Sequence, residues 1–318
     1  VAKRTAGVDL GGTKIQTVVV HSRGVVGSAR VPTPQTGAQD VIDAIVGTVL
    51  DAAREAGVAV HDLAAVGIGS PGRIEAATGT VSDSPNVAGF GTPVSLGPTV
   101  SAALGGLPVR VDNDVRVATL GEFRRGAGRP YRNILGVFVG TGVGGGLILE
   151  GRLREGQGAA GEIGHMVVKH GGRPCGCGRR GCLEAYAGRR SMEVTARRWM
   201  ARGRKTDLFE IQRAKGRPTL TSGVFATALE QRDPVAVRLV DDAVWALGTG
   251  LASAQNLLDV EAIIVGGGLG DRLGPAFVQR IEREMRPHLF VPEHAPAMLT
   301  TGLGELGGAV GAAVRAGA

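Results

Sequence analysis

Two stretches carry the reading of this chain: GVDLGGTKIQTVVV at 7–20 and GVFVGTGVGGGLIL at 136–149. Laid on each other, they match glycine on glycine at the start and at the turn. In the first, Val8 and Leu10 alternate with Gly7 and Asp9, a glycine turn follows, and 15–20 runs out as a second strand. Glycines and a threonine at such a turn can aim backbone N–H groups and a hydroxyl at phosphate oxygens. One hairpin of this kind is an ordinary structural element. A matched pair well apart in sequence predicts two α/β domains, each offering a phosphate-binding turn. The candidate nucleotide contacts are Asp9, Gly11, Gly12, Thr13 and Lys14 from the first hairpin and Thr141 and Gly142 from the second. Asp9 is expected to hold Mg²⁺ through water, because magnesium keeps much of its hydration shell. The Walker spacing is missing, and no helix follows the first turn. A third cluster, Gly266, Gly267 and Gly268, ends a strand expected over 261–268, where bare backbone permits close approach of a flat ring such as adenine.

The other dense stretch is GEIGHMVVKHGGRPCGCGRRGCLE at 161–184. Cys175, Cys177 and Cys182 are the only 3 cysteines of the chain. Thiolates at this density, separated by glycines, suit a closed tetrahedral Zn²⁺ site completed by one imidazole. His165 is the preferred fourth ligand and His170 a competing one. Inert buried thiols, or a disulfide plus a spare thiol, are the plainer alternatives. A disulfide across C-x-C is badly placed for the required dihedral, and an odd count does not suit an oxidised framework. Such a loop would hold Glu162 and Glu184 rigidly as a polar platform.

Composition narrows the classes. At 318 residues the chain suits two ordinary domains or one large one, and 43% hydrophobic residues supply a core. Glycine is abundant, 53 residues, but falls after apolar runs rather than in low-complexity tracts. Aromatics at 3% leave little for base stacking, so a nucleic-acid partner is not expected. The net charge of +7 comes with scattered arginine pairs, among them Arg189-Arg190, which read as solvated faces. No long uncharged apolar run spans a membrane, and no secretory pattern opens the chain, so a cytoplasmic protein is expected.

Along the chain, 30–34 reads as a strand entering a loop. Residues 38–57 read as a helix with Val41, Ile42, Ile45, Val49 and Ala52 on one face, and 63–68 as a buried strand. Gly72 lies in the turn after that strand, and Asn86 in a further loop able to meet a polar ligand. A short strand over 109–111 ends in Asp112-Asn113-Asp114, and a helix is expected over 115–125. Asp and Asn at a helix start are caps first. The cap accounts for one of the three. A carboxylate at this junction is placed to accept a proton from a bound hydroxyl, so Asp114 is the candidate base and Asn113 a ligand donor or acceptor. Helices are expected over 189–202, 222–231, 233–258, 275–285 and 302–316, with a loop or irregular insert over 203–222.

Taken together, DLGGTK at 9–14, DND at 112–114, GTGVGGG at 140–146, GEIGH at 161–165 and CGCGRRGCLE at 175–184 resemble the ROK family of sugar kinases, bacterial glucokinases above all. The resemblance spans essentially the whole chain. It implies an α/β, actin-like (ribonuclease-H-like) two-domain fold with ATP and Mg²⁺ in a cleft between the domains. The expected division is a small domain over 1–112, joined by a C-terminal helix at about 304–318, and a large one over 113–303 with the zinc loop. It implies Asp114 as catalytic base, sugar hydroxyls bound by Asn113, Glu162, His165 and Glu184, and Zn²⁺ on His165, Cys175, Cys177 and Cys182. Gly72 and Asn86 complete the candidate sugar contacts. The activity implied is ATP-dependent phosphorylation of glucose at the 6-hydroxyl, in a homo-oligomer, dimer or tetramer. One departure stands at Gly89-Phe90-Gly91, where many relatives carry tryptophan or arginine after the Pro85-Asn86 pair. No helix-turn-helix pattern stands ahead of Asp9, so the repressor branch is not expected. The alternatives are a kinase for N-acetylmannosamine, N-acetylglucosamine or fructose, a polyphosphate-using enzyme, a zinc-knuckle binder, or a non-catalytic sugar sensor.

Overall fold

A computed structural model describes residues 4–84 and 86–317; Pro85 and the two chain ends, including the last residue of the expected C-terminal helix, lie outside the described residues. The chain divides into two compact units, one of Val1–Pro130, Gly146–Ala160 and Gly302–Ala318, the other of Tyr131–Gly145 and Gly161–Thr301.

The first unit begins with an antiparallel meander, β1 (Arg4–Leu10), β2 (Lys14–His21) and β3 (Gly24–Pro32). Helix α1 (Ala38–Glu55) follows, then β4 (Leu63–Ser70), the small hairpin β5 (Arg73–Glu75) and β6 (Thr80–Ser82), α2 (Leu96–Ala103), β7 (Val109–Asn113) and α3 (Asp114–Arg125). The sheet order is β3-β2-β1-β4-β7, with β4 parallel to both β1 and β7. All five residues expected on the apolar face of α1 are buried. Strand β3 starts six positions before the expected 30–34 because it is an edge strand: Val25 and Val26 are exposed, so no alternation marks its start. Phe90, in the departure noted above, is fully buried among core side chains, and its carbonyl accepts the Ser84 N–H at 2.9 Å. It anchors the loop from beneath.

The second sheet repeats the plan. Its strands are β8 (Ile134–Val139), β9 (Val143–Leu149), β10 (Arg152–Arg154), and, after a helical stretch, β11 (Ala262–Gly266) and β12 (Ala297–Thr300). Their order is β10-β9-β8-β11-β12, again a meander of three followed by two strands in parallel with the first. The alignment of the two glycine hairpins thus marks a duplicated topology, that of an actin-like α/β fold. The helices between are α4 (Glu184–Ala187), α5 (Arg189–Ala201), α6 (Leu208–Ala214), α7 (Ser222–Glu230) and α8 (Pro234–Leu258). The stretch read as loop contains α6, seven residues too short to show a period. Tertiary burial of Leu208, Phe209 and Ile211 holds it. Helix α8 starts with Pro234 and the Asp233 side chain, which accepts from Ala236 N–H at 2.7 Å. Helix α9 (Gly267–Met285) starts earlier than expected, directly at the third glycine cluster, and kinks at Gly274, where φ is +62°.

Helix α10 (Gly307–Ala316) closes the first unit. A boundary at 112/113 would send α3 to the second unit. Instead α3 packs on α10, with no room for side chains: a Cβ on Gly311 would overlap the Val117 carbonyl, and one on Gly121 would come 2.7 Å from the Gly307 carbonyl. Small residues permit that approach, so α3 and 146–160 join the first unit. Among the described residues no helix is long and apolar enough to cross a membrane.

Candidate functional site

The first glycine turn is held from three sides within its unit. Thr33 Oγ1 donates to the Gly11 carbonyl at 2.6 Å, Gln35 Nε2 to the Gly12 carbonyl at 3.3 Å, and Thr33 N–H to the Thr13 carbonyl at 3.1 Å. A Cβ on Gly12 would stand 2.6 Å from the Asn86 carbonyl, so the structure brings Asn86 against the first glycine turn. Lys14 pairs with Glu305 at 3.2 Å, and Arg30 joins the same carboxylate at 3.2 Å. Glu305 has no sequence signal, lying nearly the whole chain away.

Asp9, the last residue but one of β1, lies opposite Gln16 on one neighbour and Gly69 on the other. A Cβ on Gly308 would come 2.7 Å from its carboxyl carbon, so the side chain faces the first turn of α10. Burial pushes Asp9 up to about 7, Asp114 adds to the rise, and Lys14 opposes it. Two carboxylates that repel each other at an enclosed strand end are a setting that a divalent cation relieves, which fits Mg²⁺.

The Asp112–Asp114 run separates into three roles. Asn113 caps α3: its Oδ1 accepts from Val115 N–H at 3.0 Å and Arg116 N–H at 3.1 Å, which leaves its amide NH₂ as the group to offer a ligand. Asp112 is almost fully buried and ion-paired, with Arg116 at 2.8 Å and Arg315 at 2.9 Å. Arg315 also pairs with Glu155, and Arg116 Nη1 donates to the Gly158 carbonyl at 3.4 Å. Asp112 therefore fixes the end of β7 to α10 and to the 155–158 loop. Asp114 is the first residue of α3, half-buried, its own carboxylate accepting the Val115 N–H at 2.9 Å. Gly72 adopts φ +101° where β4 turns back, with no space for a Cβ beside Ser82 and Ser84.

In the second unit, His165, Cys175, Cys177 and Cys182 come together, their ligand atoms all within 4.8 Å of one another. His170 lies outside the group. The histidine presents Nδ1, 3.8 Å from Cys175 Sγ, so Nε2 remains for another partner. The three cysteines are free thiols. Burial pushes the Cys175 thiol up to about 12. At Cys177 burial acts the same way, but hydrogen bonds from Arg179 and the other thiols bring it down to about 6. One imidazole and three sulfurs at this spacing match the donor set of a four-coordinate metal. Turns around Gly181 and Arg173 hold the loop: Cys175 N–H donates to the Arg179 carbonyl at 2.8 Å and Gly181 N–H to the Arg173 carbonyl at 2.8 Å.

Glu184 joins this loop to the second glycine hairpin. Its Oε1 accepts from Cys175 Sγ at 3.7 Å, and its Oε2 from Val143 N–H at 2.9 Å. A Cβ on Gly142 would overlap that carboxylate. Thr141 is bound from the same side: Arg189 Nη2 donates to Thr141 Oγ1 at 3.2 Å, and Arg190 N–H to the Thr141 carbonyl at 3.1 Å. Arg189 corrects the reading of the arginine pairs as solvated faces, since burial lowers its pKa and its Nε is enclosed. Glu162 is exposed and opens the short 3-10 turn Ile163–His165. Gly266, Gly267 and Gly268 form the turn from β11 into α9. A Cβ on Gly266 would strike the Thr301 methyl at 2.3 Å and one on Gly267 the Val139 backbone at 2.8 Å, so packing within the unit already requires both to be bare; Gly268 is 3.2 Å from Ser222 Oγ by the same measure.

The ROK family model matches residues 5–317. A glucokinase of Streptomyces coelicolor is 37% identical, over 97% of this chain and 96% of that one. An N-acetylmannosamine kinase of Vibrio cholerae is 30% identical, over 92% of this chain and 94% of that one. The crystal structure of a ROK family glucokinase from Streptomyces griseus, in complex with glucose and AMPPNP, superposes with a TM-score of 0.81 at 36% identity, covering 98% of this chain and 99% of that one. Family match, relatives and fold agree from the first glycine hairpin to the last helix, and the chain belongs to the ROK family.

Proposed function

We propose that the chain is an ATP-dependent glucokinase that phosphorylates glucose at the 6-hydroxyl. Relatives at 34–37% identity that bear the name glucokinase support this, against 30% for N-acetylmannosamine kinases. The observation that carries the reading is Glu184, a carboxylate of the cysteine loop bonded to the backbone of a glycine hairpin that offers N–H groups. A polyhydroxyl platform and a phosphate turn thereby share one side chain.

In the first unit, Asp114 accepts the proton of the glucose 6-hydroxyl as the O6–P bond forms and the bond from the γ-phosphorus to the β-bridging oxygen breaks, releasing ADP. Asn113 donates its amide NH₂ to a neighbouring hydroxyl, with Gly72 and Asn86 completing that side. In the second unit, Glu162, Glu184 and His165 Nε2 bind further hydroxyls. Gly11, Gly12, Thr13 and Lys14 receive the phosphates together with Thr141 and Gly142, and Gly266 to Gly268 admit the adenine. Lys14 leaves Glu305 to do so. Mg²⁺ bound with ATP would neutralise charge on the transferring phosphoryl, and Asp9 is the residue that would hold it. Zn²⁺ held by His165, Cys175, Cys177 and Cys182 would cross-link the platform loop. In such a transfer positioning outweighs base strength, so the caps and ion pairs that fix Asp114 and Asn113 serve the rate directly.

The test is a coupled ADP-release assay over a panel of glucose, mannose, fructose, N-acetylmannosamine and N-acetylglucosamine, with ATP and polyphosphate as donors. Glucose with ATP is expected to give the highest kcat/KM. A higher value for an N-acetylated sugar moves the substrate; binding without turnover makes the chain a sensor.

A further inference from the structure

A cavity of about 780 Å³ in the second unit plays no part in the chemistry above. Five cations line it, Lys169, Arg173, Arg180, Arg198 and Arg238, against three carboxylates. Two of the carboxylates are already taken. Asp242 accepts from Arg173 and, at 3.0 Å, from Arg238, while Asp241 pairs with Arg280 at 2.5 Å. Glu284 is the third. Lys169, Arg180 and Arg198 have no carboxylate partner among the described residues, so the cavity carries a net positive field.

Its inner wall is aromatic. Tyr186 and Trp245 meet edge to face at 5.3 Å, and the Arg173 guanidinium lies 4.7 Å from the Tyr186 ring centre and 5.4 Å from that of Trp199. The rings fix the guanidinium, and its Nη1, enclosed, has no hydrogen-bond partner among the described residues.

We propose that this cavity binds a phosphate monoester of a small sugar. The phosphate is taken by Lys169, Arg180 and Arg198, the exposed cations of the lining, and the sugar ring rests on Trp245. Arg173 and Arg180 belong to the cysteine loop, and Tyr186 lies in the helix that begins at Glu184. An occupant therefore touches the same elements that present Glu184.

Of the chain's 2 tryptophans, Trp245 lines the cavity and Trp199 lies 5.4 Å from the Arg173 guanidinium, so intrinsic fluorescence reports on an occupant. Glucose 6-phosphate is titrated into the full chain with saturating glucose and a non-hydrolysable ATP analogue, so that the other sites are filled. A saturable fluorescence change is expected, and the exposed double variant Lys169→Gln/Arg198→Gln should weaken it by about tenfold with unchanged melting temperature. Inorganic phosphate should bind more weakly than the ester. A linear response, an affinity unaltered in the double variant, or equal binding of inorganic phosphate overturns the proposal. The readout needs no turnover, so its failure is separable from a failure of the glucokinase reading.

Discussion

The Glu184 carboxylate takes the Val143 N–H at 2.9 Å, tying the end of the cysteine loop to the β8–β9 turn. Shortening it to Asp withdraws the oxygen from that N–H. Glu184→Asp should raise KM for both glucose and ATP, whereas loss of a sugar contact alone would raise the first only. Gly142→Ala forces a Cβ into the same carboxylate and should reproduce the paired effect. Steady-state kinetics in both substrates decides, and an unchanged ATP KM in both variants would detach the hairpin from Glu184.

Asp114→Asn keeps the size of the side chain and removes the carboxylate proposed as base. Its kcat should fall by about 10²- to 10⁴-fold with glucose affinity largely kept, the usual worth of a placed general base. Calorimetric glucose titration beside turnover separates the two. Near-normal kcat would remove Asp114 from the proton transfer.

Metal content tests the cysteine loop. The purified chain should carry one zinc per molecule by elemental analysis. Cys182→Ala, at a fully buried thiol of the cluster, should lose it and lower the melting temperature, and a strong chelator should reproduce the loss on the unaltered chain. Full activity in a zinc-free sample would leave the loop's rigidity to its hydrogen bonds alone.

Asp9 gives a pH signature. Its folded pKa of about 7 stands above the ordinary 3.8, so between those values the folded chain holds a proton that the unfolded chain has lost. The stabilisation is complete below 3.8 and disappears as pH rises through about 7. Without nucleotide or magnesium, the melting-temperature advantage of Asp9→Asn over the parent should grow from pH 4 to pH 7 and then level off. An advantage independent of pH would contradict the burial and the Asp114 repulsion that raise it.

Gly311→Ala tests the α3–α10 contact. The added Cβ overlaps the Val117 carbonyl in a place where neither helix has a flexible side chain to move. A loss of about 3 kcal/mol or more is expected in denaturant unfolding, the scale of overpacking against backbone. Gly47→Ala, on the same unit but with open space around it, serves as the control and should be neutral or stabilising.

Local pattern was enough to reveal the duplicated hairpins, the face of α1, a cap within Asp112–Asp114 and the grouping of His165 with the three cysteines, because each is written in neighbouring residues: a period, a turn, a side chain that reaches its own backbone, a cluster of thiols. It could not reveal Arg315 on Asp112, 203 positions away, or Lys14 on Glu305, 291 away, since an ion pair between distant residues leaves no periodic trace. Helix α6 was missed and the start of the edge strand β3 was placed too late for a related reason: burial by distant neighbours holds the one, and solvent on its outer face erases the pattern at the start of the other. Arg189 read as a surface charge until folding put Thr141 beside it. Chemistry carried by residue type was legible along the chain, while the partners that tune it were assigned by packing.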